Sequence, residues 1–195
     1  MPRISAPTVA EHRAAQHRAL LDAARAILAE QPGTAPSLAA VAGRAGLARS
    51  SAYEYFRSRQ DLLDALIQDV FPRWSARVTQ AMAAAGGPGA RVLAYVDTNL
   101  ELVAEGEHAV ARALAAIAPG QQLDDSSRVM HEQLSHPLVD ALRAMALPDP
   151  ATTAELINAI VYSASSLIEA GGDSAGIRAR AGELLEPFLR QPRAG

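Results

Sequence analysis

Cysteine is absent from this chain of 195 residues, which excludes disulfides, thiolate zinc sites, iron–sulfur clusters and cysteine nucleophiles, and points to an intracellular, cytoplasmic protein. Lysine is absent as well, so all 18 basic residues are arginine. Aromatic residues amount to only 4%, leaving a large aromatic ligand few stacking partners. The longest nearly apolar stretch, residues 109–118, is too short to cross a bilayer and contains Arg112. The opening MPRISAPTVAEHR has no apolar core behind its basic residue, so neither secretion nor a membrane span is expected.

What is present describes a globular protein with a real core: 49% hydrophobic residues, 20% charged residues and a net charge of -3. The 43 alanines favour helix and say little about function. Charge is distributed unevenly. Residues 1–60 carry eight arginines against four acids, a balance of +4, and the remainder carries ten against seventeen, a balance of -7. A basic head on an acidic body suits a part that meets polyanions joined to a part that does not.

Apolar residues recur at helical spacing throughout, and no stretch alternates as a strand would, so the spacing predicts an all-α fold of about nine helices. The expected helices span 9–30, 37–44, 49–55, 59–84, 90–105, 107–118, 121–147, 150–170 and 174–190. Ser58 and Asp61 resemble a capping box at the head of the fourth. Pro72 and Pro137, lacking an N–H for the carbonyl four residues earlier, are expected to kink or divide their helices.

Residues 37–56 read SLAAVAGRAGLARSSAYEYF. Leu38, Val41 and Ala42 make one face of a two-turn helix, Gly46 supplies a tight turn, and Leu47, Ala52 and Phe56 return to the same small core. That is a helix-turn-helix. Its second helix projects Arg49, Ser50, Ser51, Tyr53 and Tyr55, with Arg57 and Arg59 beyond. Arginine pairs with guanine edges or phosphates, serine reaches either, and tyrosine hydroxyls find phosphate oxygens. An ordinary helical hairpin with a polar outer face is the plainer alternative.

The run from Ala45 to Phe56, followed by Arg59 and Asp61-Leu62-Leu63, with Gly33 and Ser37 before it, resembles the signature of the tetracycline repressor (TetR) family of transcription regulators. The resemblance covers roughly residues 15–65 and implies an all-α regulator: a three-helix helix-turn-helix DNA-binding domain over 1–58 and a larger helical effector-binding and dimerisation domain over 59–195. It also implies that Arg49, Ser50 and Ser51 meet base edges in the major groove and that Ser37, Tyr53, Tyr55 and Arg59 contact phosphates. Two positions depart from the family. Arg59 stands where a lysine is usual, and Ala48 where serine or threonine usually caps the recognition helix.

Enzyme signatures are missing. The chain has no G-x-x-x-x-G-K phosphate loop, no dinucleotide fingerprint and no G-x-S-x-G elbow. His131 and His136, like His12 and His17, are five apart and diverge by about 140° on a helix, so neither pair shares a metal. One Glu-x-x-His occurs at Glu105–His108, whereas helix-bundle di-iron sites need two. No metal or other cofactor is expected.

For the body, Trp74, Tyr95, Asn99, Met130, His131 and Tyr162 are candidate ligand-pocket residues, each equally readable as core filler or a satisfied interior polar group. An aliphatic or small amphipathic effector suits the low aromatic content. The last two helices carry wide apolar stripes, and Leu156, Ile160, Ser163, Leu167, Ile177, Leu184 and Phe188 form a candidate dimer interface, two hairpins making a four-helix bundle by two-fold symmetry. Alternatively these stripes pack only on their own chain. The expected function is a homodimeric, sequence-specific regulator, a repressor released from a palindromic operator by a small molecule, with double-stranded DNA as partner. The competing reading is a helical scaffold dimer that does not read sequence. The ratio of specific to random affinity separates the two.

Overall fold

The computed structural model describes residues 9–31, 34–117 and 121–190, without the side chains of residues 115, 121–124, 126, 127 and 130. Gly33 of the sequence motif and the Met130 side chain therefore lie outside the described residues. Among the described residues the chain is all-α, with no strand. Nine helices follow in order: α1 Val9–Glu30, α2 Leu38–Arg44, α3 Arg49–Tyr55, α4 Arg59–Ala84, α5 Pro88–Ala104, α6 Glu107–Ile117, α7 Gln121–Ala144, α8 Pro150–Glu169 and α9 Ser174–Arg190.

Of the two outcomes expected at Pro72 and Pro137, division does not occur; α4 and α7 each run on through the ring. Pro72 lies exposed, as does Gln68, whose carbonyl is the one deprived of a helical donor. Val70, Phe71 and Trp74 are buried on the other side, so packing holds the helix across the missing bond.

Packing divides the chain into two compact units, Met1–Asp69 with Ala109–Leu123, and Val70–His108 with Asp124–Gly195. In the first, α1 packs on α2 and α2 on α3. Leu20, Ala24 and Leu28 of α1, Val41 and Ala42 of α2, and Ala52 and Phe56 at α3 are almost completely removed from water. Each large side chain so buried contributes roughly 1.5–3 kcal/mol relative to exposure. Gly46 takes φ +69°, a conformation that a side chain would strain, and the Leu47 N–H returns to the Ala42 carbonyl at 2.9 Å. This turn sends α3 across α2. Arg44 grips both carboxylate oxygens of Glu30, at 2.5 and 2.6 Å, joining α2 to the end of α1 and holding the Glu30 carboxyl below its usual range.

The second unit is built around α5, which packs against both α8 and α9. Its core includes Val78, Val92, Val96, Leu100, Leu138, Leu142, Ile157, Ala181 and Leu185. Gly171 (φ +89°) ends α8, and the Gly172 N–H reaches the Leu167 carbonyl at 3.1 Å. A Cβ at Gly172 would come within 2.8 Å of that carbonyl and of Ile177, so the α8–α9 hairpin closes only around glycine. Arg178 on α9 holds Asp97 on α5 by two bonds of 2.8 and 2.9 Å.

Candidate nucleic-acid interface

The helices of the head fix where each candidate side chain stands. Ser37 is exposed and caps α2, its hydroxyl oxygen accepting the Ala40 N–H at 3.1 Å. α3 has no side-chain cap, as expected from Ala48, which has no oxygen to offer. Arg49 and Ser50 are exposed in the first turn of α3, and Ser51 is half-exposed. Ala52 and Phe56 anchor the helix from below.

Tyr53 points outward, 47% exposed, and meets Arg49 one turn earlier. The guanidinium carbon lies 5.7 Å from the ring centroid, and Nη2 donates to the hydroxyl at 3.4 Å. Tyr55 faces α1 instead. Its hydroxyl donates to Gln16 Oε1 at 2.8 Å, Arg13 sits 5.3 Å from its ring centroid, and the His17 ring lies 5.9 Å away. Sequence reading does not find Gln16, Arg13 or His17 as neighbours of Tyr55, since Gln16 and Tyr55 are 39 residues apart and neither carries a local signal for the other.

Arg59 is exposed at the start of α4. Half of the capping box forms there: the Asp61 N–H donates to Ser58 Oγ at 3.1 Å, while Asp61 Oδ2 accepts the N–H of Arg57, one residue before the cap, at 2.9 Å. Arg49, Arg57 and Arg59 thus present exposed guanidinium groups at α3 and just beyond it. Such a cluster attracts a polyanion and, through Arg49 and the serines, offers hydrogen bonds to base edges.

In the second unit three of the candidate pocket residues come together. Trp74 Nε1 donates to Asn99 Oδ1 at 2.9 Å, and Asn99 Nδ2 donates to the Tyr95 carbonyl at 2.7 Å. The Tyr95 hydroxyl donates to Asn158 Oδ1 at 2.7 Å. Burial, with Glu155 adding to it, pushes the Tyr95 hydroxyl up to about 12. The Asn99 amide thus finds the partners its place in an apolar stripe requires. Two other candidates stand apart: His131 is exposed on α7, and Tyr162 is 73% exposed on α8. His108 of the Glu-x-x-His element bonds Glu169 at 2.6 Å, with its ring edge-on to Trp74.

The α8–α9 hairpin has two different faces. Ile157, Ala164, Ala181 and Leu185 are buried in the core of their own unit. On the other face Leu156, Leu167 and Leu184 are 64%, 58% and 65% exposed. These three, with Ile160, Ser163 and Ile177, line an apolar groove of about 660 Å³ flanked by Asp173 and Arg180. Phe188, the seventh interface candidate, packs against the core and does not line the groove.

Residues 20–66 match the family model of bacterial regulatory proteins, tetR family, a stretch that takes in α2, α3 and their turn. Over these residues the chain is similar to the TetR family. A relative, the HTH-type transcriptional regulator BetI of Rhizobium meliloti, is 28% identical over 139 residues, covering 70% of this chain and 68% of that protein. The HTH-type transcriptional repressor LfrR of Mycolicibacterium smegmatis is 36% identical over 85 residues, which are 44% of each chain. Among solved structures, a transcriptional regulator from Saccharomonospora viridis in complex with choline superposes with a TM-score of 0.76 at 13% identity, covering 89% of this chain and 96% of that one. The chain is a DNA-binding regulator of transcription, and among its described residues no helix is long and apolar enough to cross a membrane.

Proposed function

We propose that this regulator is a cytoplasmic homodimer that represses transcription by binding an inverted-repeat operator and releases it when a small molecule binds. It acts by binding, not by catalysis. The observation that carries the reading is the exposed face of α3, where Arg49, Ser50 and Tyr53 stand clear of a core made by Val41, Ala42, Ala52 and Phe56. Residues 1–58 serve as the DNA-binding domain and 59–195 as the effector-binding and dimerisation domain. Arg49, Ser50 and Ser51 read base edges, while Ser37, Tyr53, Tyr55 and Arg59 hold the phosphate backbone.

Dimerisation is supported by the apolar groove on α8 and α9, where three leucines stay largely in water in a single chain. A second copy related by two-fold symmetry covers both grooves at once, and a two-fold dimer reads two half-sites about one turn of DNA, or a multiple of it, apart. An effector is supported by the choline complex of the similar solved structure, and by the buried Ser75 hydroxyl, which makes no hydrogen bond of its own. A small amphipathic molecule fits a unit with few aromatic side chains.

The test is a division of labour measured on the duplex that the unaltered protein prefers and on random duplex. Arg59→Ala weakens both by the same factor, whereas Arg49→Ala lowers the ratio between them. Equal losses on both duplexes for both variants would refute the assignment.

A further inference from the structure

Arg49 opens α3 without a side-chain cap before it, so nothing at Ala48 stiffens the turn that carries it. Its restraint comes from one turn further on. The guanidinium stacks toward the Tyr53 ring, 5.7 Å to the centroid, and donates to the Tyr53 hydroxyl at 3.4 Å. The two residues are four apart, the spacing that brings helical side chains face to face. Nothing in the core demands this geometry, since both side chains are exposed.

We propose that Tyr53 is a positioning residue for sequence reading: it holds the Arg49 guanidinium in one orientation, so that base preference belongs to the pair. The proposal rests on Arg49 being a base reader. A guanidinium has five N–H donors, and the tyrosine hydroxyl takes one of them, leaving four for a base edge. Arginine on its flexible stem loses rotamer freedom when it docks, and a guanidinium already stacked on a ring loses less. The cation–ring contact supplies that order without burying the charge. Tyr53 thereby affects which sequence is bound, beyond any contact with phosphate.

The experiment is a double-mutant cycle on base preference. Affinity is measured for the preferred duplex, and for the same duplex altered at the base pair whose preference changes in Arg49→Ala, using the unaltered chain, Arg49→Ala, Tyr53→Leu and the double variant. Tyr53→Leu is expected to reduce the preference about threefold in the presence of Arg49 and to leave it unchanged in its absence. Tyr53→Phe, which keeps the ring, retains most of the preference. The side chain is exposed, so an unchanged melting midpoint shows that the variants fold. If Tyr53→Leu weakens preferred, altered and random duplexes by one factor, Tyr53 is a phosphate contact alone and the proposal is overturned. If no base pair responds to Arg49→Ala, the base-reading assignment falls and takes this inference with it; a responsive base pair with independent effects overturns this inference alone.

Discussion

The Tyr55 hydroxyl donates to Oε1 of Gln16 across 2.8 Å and so ties the last residue of α3 to α1. A half-buried neutral bond of this kind contributes about 1 kcal/mol. Tyr55→Phe should therefore lower stability by about that amount in urea denaturation, with Gln16→Leu costing a similar amount and the pair together little more. If Tyr55→Phe leaves stability untouched, the hydroxyl does not hold α3 to α1.

Ala48 leaves the first amides of α3 without a side-chain acceptor. Ala48→Ser places an oxygen within reach of Ser50 or Ser51 N–H and should stabilise the head by about 1 kcal/mol. Hydrogen exchange of the α3 amides, slower in the variant, is the direct readout. An unchanged exchange rate would show that the helix start is already held by other contacts.

Asn99 both accepts from Trp74 and donates to the Tyr95 carbonyl inside the core. Asn99→Leu strands the indole N–H and should cost about 1–3 kcal/mol. Adding Trp74→Phe removes the stranded donor, so the double variant should lose less than the sum of the single losses. Additive losses would contradict a coupled pair.

Burial raises the Tyr95 hydroxyl to about 12, above its ordinary value near 10. A group whose pKa is higher in the folded state contributes stability that is fully present below the unfolded value and is lost as pH climbs through the folded one. Stability should accordingly decline between about pH 10 and pH 12, by on the order of 2 kcal/mol from this residue. Tyr95→Phe, measured by thermal melting over the same range, should show a shallower decline; an identical slope would mean that Tyr95 is not the titrating group.

The head is readable in sequence because its core and its turn are local. Leu38, Val41, Ala42, Gly46, Ala52 and Phe56 lie within twenty residues, and their spacing alone closes the motif. The Tyr55–Gln16 and Tyr95–Asn158 bonds join residues 39 and 63 apart, and no local pattern announces such partners. At Pro72 and Pro137 a local rule allows a kink or a break, and the break does not occur where buried residues flank the ring on both sides. The α8–α9 stripes were wide in sequence because they serve two faces, one turned to the core and one to the groove.

Selection of bound duplexes from a random DNA pool, at about 0.15 M salt where purely electrostatic binding is screened, tests the central claim most directly. A sequence-reading homodimer enriches one inverted repeat whose half-sites lie about one helical turn, or a multiple of it, apart. Recovery of no motif from well-folded protein would contradict the account and favour a helical scaffold that does not read sequence.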